Sequence, residues 1–182
     1  PVTDESPATR EKDGGTRKEV SSGAGKIESH LLGHLLLTPD LLCRLDRALQ
    51  ENNLGRLAPE DFSLTDHQVL FRLVRESLEQ DTAEPEGYLV DHLPVLLADL
   101  MASLLEEAAR VLRQDQVLED LFRTALAMRR RMVDENLNQL RFLMLEGQLM
   151  TEPYHQMVFQ YSRTRQLLDQ ARLPRNGKNG PG

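Results

Sequence analysis

The stretch SHLLGHLLLTPDLL, residues 29–42, carries His30 and His34 four residues apart. On a helix that spacing turns two imidazoles to one face, where they can share a metal ion. A hydrolytic zinc helix also needs a glutamate directly after the first histidine, to act as general base. Leu31 stands there instead. A third ligand is needed as well, and neighbouring Glu28 fits no known ligand pattern. The reading is therefore a first helix whose apolar face is bordered by two partly buried, hydrogen-bonded histidines, with no metal site. The enzyme alternative is a small metal-dependent hydrolase built on His30 and His34.

Other chemistry-bearing residues are sparse. His67, His92 and His155 are isolated in sequence and read as helix-surface or interface residues. Cys43, the single cysteine, lies in a leucine-rich segment and reads as a small buried hydrophobe. There is no glycine-rich phosphate loop and no paired-carboxylate pattern. No catalytic residue and no cofactor is expected. Arg129–Arg131 form the one basic cluster. Three consecutive helical residues spread over about 200°, so they read as a solvated face, with Arg130 pairing Asp134 four residues on.

Composition points to helices. Apolar residues make up 40% of the 182-residue chain, enough for a core, but aromatics are only 4% and tryptophan is missing. A core of Leu, Val, Ala and Met favours an all-α fold. With 29 acidic and 22 basic residues the formal charge is −7, which argues against direct nucleic-acid binding. A lone cysteine suits a reducing, cytoplasmic setting, and no apolar run is long enough for a membrane span. The chain starts at Pro1 with no signal-like region, as a piece of a longer protein would.

These residues must be positioned by a series of helices. Residues 1–25 are rich in Ser, Thr, Gly and charge and read as a disordered linker; residues 174–182 read as a disordered tail. Residues 26–133 read as a helical bundle. Its first helix runs from about Lys26 to Leu37, and its second is capped by Thr38 with Pro39 at its first position. A third is capped by Thr65, and a short one precedes Pro94. A fifth has Leu96, Leu97, Leu100, Met101, Leu104 and Leu105 on one broad face. From about Asp115 to Leu149 no proline or turn signal interrupts the helical pattern. Its apolar beat of Leu118, Leu121, Ala125, Met128 and Met132 weakens across DENLNQ, residues 134–139, which reads as a solvated bridge and a mobile joint. Residues 134–173 then form a protruding antiparallel hairpin.

The hairpin is rich in large apolar side chains: Phe142, Met144, Tyr154, Met157, Phe159 and Tyr161. They point to several faces, and two helices cannot cover them all. Tyr154, Met157, Val158 and Tyr161 fit one stripe, whereas Phe159 lies about 200° from Tyr161 on a helical wheel. These six are the candidate partner-binding residues, with Phe159 the foremost, because exposed apolar surface on a protruding element marks a partner site.

The segment KIESHLLGHLLLTPDLLCRL, followed by LAPEDFSLTDHQVLFRL, resembles two bacterial replication modules. One is the C-terminal helicase-binding domain of the DnaG-type replicative primase. The other is the N-terminal domain of the replicative helicase. Both carry an acidic residue before an LL…LLL.P.L pattern, here Glu28, Leu31, Leu32, Leu35–Leu37, Pro39 and Leu42. Both then have an acidic-Phe pair, here Glu60, Asp61 and Phe62, followed by His67, Leu70 and Phe71. The bundle, long helix and terminal hairpin over 26–173 are similar to the primase layout, and the helicase domain remains the alternative. The resemblance implies a non-catalytic module that docks a primase on the N-terminal domains of the hexameric helicase at the bacterial replication fork and modulates it. The hairpin would supply most of the affinity. The polymerase activity would lie in the rest of such a primase, upstream of this module.

Overall fold

The computed structural model describes residues 23–110, 116–145 and 152–172. Most of the expected linker and all of the expected tail lie outside these residues, as does the expected turn at 146–150. Among the described residues there are seven α-helices and no strand, so the fold is all-α. They are α1 Gly23–Leu37, α2 Leu41–Glu51, α3 Thr65–Glu79, α4 Pro85–His92, α5 Ala98–Ala109, α6 Val117–Leu145 and α7 Glu152–Arg172. Helix α1 thus begins inside the stretch read as linker. Among the described residues no single helix is long and apolar enough to cross a membrane.

The core is mostly leucine. Leu31, Leu32 and Leu35 of α1, Leu45 and Leu49 of α2, and Phe71 of α3 are fully buried. Helix α1 crosses α5 so closely that a Cβ on Gly33 would sit 2.6 Å from the Leu104 carbonyl oxygen. Only a glycine fits there without moving a helix.

Neither expected threonine cap forms. At α2 the entry is a backbone turn, in which Leu41 N–H donates to the Thr38 carbonyl at 3.1 Å. The cap position is Asp40, whose side chain makes no capping bond. The end of α2 explains ENNLG. Leu54 N–H reaches back to the Leu49 carbonyl and Asn53 N–H to the Gln50 carbonyl, both at 3.0 Å. Asn53 takes the left-handed conformation this closure requires, with φ 58°. At α3 the cap position is Leu64, and the carboxylate that caps it comes from another helix, as described below.

The fifth helix is shorter than its apolar pattern. Val95–Leu97 form a 3-10 turn after Pro94, and α5 begins only at Ala98. Leu96, expected inward, is 95% exposed because it belongs to that turn and not to the helix.

Helix α6 is continuous over 29 residues. The stretch read as a bare polar bridge has Leu137 at its centre. Val133, Leu137 and Leu140, spaced i, i+4, i+7, are all buried and carry the apolar stripe straight through. Met132, expected on that stripe, is only half-buried. Helix α7 runs back antiparallel along α6. Tyr154 lies beside Met144, Arg165 pairs with Asp134 at 3.4 Å, and Arg130 pairs with Asp169. Leu168 of α7 is fully buried in the same core as the bundle.

Candidate functional site

Three groups of residues can carry function: the histidines of α1, a polar cluster that joins α1 to α3, and the exposed apolar side chains of the α6–α7 hairpin.

The histidines are committed to structure. His30 Nε2 lies 2.6 Å from the Asp120 carboxylate, tying α1 to the first turn of α6. His34 is buried, with its ring edge-on to that of His30 at 4.9 Å. Burial pushes the His34 pKa down; the neighbouring His30 adds to this, and Asp120 opposes it in part. Among the described residues no three His, Cys, Asp or Glu side chains converge as a metal would require.

Glu28 is the hub of the second group. Its carboxylate accepts the Ser63 N–H at 2.8 Å, the Ser63 hydroxyl at 2.5 Å and the Leu64 N–H at 3.4 Å. His67 Nδ1 lies 2.9 Å away. An anion is thereby seated on the orphan amides at the start of α3, with the helix dipole favouring it. Burial alone would push the Glu28 pKa up. The bonds from His67, Ser63 and Leu64 together outweigh it and hold the group below the ordinary glutamate value.

Serine, histidine and carboxylate meet here, but not as a nucleophilic triad. The serine hydroxyl donates to the carboxylate, not to the imidazole. His67, expected at a surface or interface, is fully buried. Its Nε2 has no hydrogen-bond partner among the described residues and no route to a substrate.

The arginine run divides three ways, and one member is not solvated. Arg129 is 8% exposed and grips the segment between α2 and α3. It meets both Asp61 carboxylate oxygens, at 2.9 and 2.8 Å. It also donates to the carbonyls of Gly55 and Arg56, at 2.8 and 2.6 Å. Arg130 turns to Asp134 and Asp169, and Arg131 to Glu135. Cys43, expected buried, is exposed.

The third group is spread over α6 and α7 of the hairpin. Phe142 is 60% exposed and Phe159 68%. Met144, Leu145 and Met157 are also exposed. Tyr154 is not: it is buried in the seam, and its hydroxyl lies 3.3 Å from the Met144 sulfur. Tyr161 is half-buried against the core. Of the six residues singled out in sequence, four therefore present apolar surface and two serve the seam. Leu145 was missed there, although it lies three residues from Phe142 in the same last turn. His92 and His155 are exposed, each beside a tyrosine ring.

Comparison with models of protein families, with curated proteins and with solved structures returns no match.

Proposed function

We propose that this chain is a non-catalytic docking module similar to the helicase-binding domain of a bacterial replicative primase. On this reading it holds the primase on the N-terminal domains of the hexameric helicase, in the cytoplasm, during primer synthesis. The observation that carries the proposal is the exposed apolar surface of the hairpin. Phe142, Met144 and Leu145 of α6 and Met157 and Phe159 of α7 are all exposed. Apolar surface left in solvent on that scale has a cost in solubility unless a partner covers it. The motif residues give further support. Ser63 and His67 each bond to Glu28, and Asp61 is gripped by Arg129, so the two separated stretches of the motif are joined in the fold.

Phe159 is the side chain to test. An aromatic anchor in such an interface typically costs about 2 kcal/mol or more on truncation, roughly a thirtyfold loss of affinity. Phe159→Ala should weaken binding to a replicative-helicase N-terminal domain by that order and leave the melting temperature nearly unchanged. Full affinity in Phe159→Ala, and again in a Phe142→Ala/Phe159→Ala double variant, would remove the proposal.

A further inference from the structure

On the side of the bundle formed by α2, α3 and the segment joining them is an open cleft of about 310 Å³. Arg47, Arg56 and Arg75 line it, against Asp46 and Glu79. The arginines have different roles. Arg75 is tied down: it meets the Asp46 carboxylate at 3.3 Å and donates to the Leu57 carbonyl at 2.5 Å. Asp46 is buried and also accepts the Leu57 N–H at 2.8 Å. These two charges cancel inside the wall and fix the shape of the cleft. Arg47 and Arg56 are exposed and give the mouth its character, with Glu79 the remaining carboxylate. The lining therefore holds one positive charge in excess, in a chain whose formal charge is −7. Leu42 and Leu78 supply apolar wall, and Gln50 an amide.

From this geometry we infer a binding site for a small phosphorylated anion, held by the guanidinium groups of Arg47 and Arg56. Guanidinium matches phosphate oxygens in a planar fork. No aromatic side chain lines the cleft, so nothing stacks a nucleobase, and the ligand class is a compact phosphate or pyrophosphate ester. The inference is independent of the hairpin and of what binds there.

Cys43 is an internal reporter, because it lines the same cleft and is the only cysteine in the chain. The test compares its alkylation by anionic iodoacetate and by neutral iodoacetamide, each normalised to a small free thiol. In the intact chain the iodoacetate preference should rise on the order of tenfold at low salt and shrink as salt is added. Pyrophosphate should slow the reaction saturably, and glycerol phosphate should do so if esters are accepted. Arg47→Ala/Arg56→Ala should abolish both the preference and the protection. Both side chains are exposed, so its melting curve should match that of the intact chain. A reagent ratio equal to that of the free thiol would overturn the inference. So would pyrophosphate protection that survives in the double variant, or protection by single-stranded oligonucleotide well below the pyrophosphate range.

Discussion

Gly33 is the point of closest approach between α1 and α5. Replacing it with alanine would gain about 1 kcal/mol of helix propensity. The new Cβ would lie 2.6 Å from a backbone carbonyl, which cannot swing aside as a side chain can. Overpacking of that kind costs about 1–3 kcal/mol, and with the backbone as obstacle the upper part of that range wins. Gly33→Ala should therefore destabilise the protein by about 1–2 kcal/mol net in chemical denaturation, whereas Gly55→Ala, which has open space around it, should not. Two buried titratable groups set the response to acid. His34 has a lowered pKa in the folded chain, so the unfolded chain binds its proton first as pH falls. Its contribution is complete above the ordinary imidazole value and is lost as pH drops through the lowered one. Glu28 behaves likewise from the ordinary glutamate value downward. Stability should decline in two stages on acidification, and Glu28→Gln should flatten the lower stage, as read from denaturation midpoints against pH. Glu28 stood out in the sequence as a motif residue, but its role did not. Its partners lie 35 to 39 residues away, and no local periodicity encodes that distance. For the same reason Arg129 looked like its neighbours, since the carbonyls that bury it belong to Gly55 and Arg56.

Among the elements, α6 differs most from its sequence reading. Five polar residues crowd around Leu137, and the eye follows them. The spacing of Val133, Leu137 and Leu140 was nonetheless present in the sequence, and it is α7 that gives the stripe something to cover. Leu137→Ala should cost about 2–4 kcal/mol, the range for a buried leucine. Amide exchange near Asn136 should then be about as slow as near Leu121; much faster exchange confined to 134–139 would restore the mobile joint. The fifth helix erred in the opposite sense. An unbroken apolar run was read as a single phase, but Pro94 and the 3-10 turn after it put Val95 and Leu96 outside the helix, in solvent. The all-α class, the long helix and the antiparallel return were legible because each rests on composition, or on an uninterrupted period of many residues. Caps were not, because Thr38 and Thr65 compete with backbone turns and with a carboxylate from α1.

Taken whole, the chain has one core among its described residues, and the hairpin belongs to it. Leu168 is fully buried there, with Val158, Tyr161, Leu167 and Ala171 packed against the same cluster. A fragment ending at residue 133 would lay that surface bare. It should melt well below the intact chain. A fragment 26–133 that melts at the intact temperature would mean that the bundle stands alone. The continuity of α6 also has a mechanical meaning. At about 1.5 Å per residue, its 29 residues make a rod of roughly 43 Å with no proline or glycine at which to fold. Arg129 clamps it near its middle, and Phe142 lies 13 residues further on. A rod so held converts angle into travel. A tilt of only about 5° at the clamp would carry Phe142, about 20 Å away, through roughly 2 Å, given that rise per residue. A push at the tip would return to the bundle as torque on the Gly55–Asp61 segment, with little lost to bending on the way.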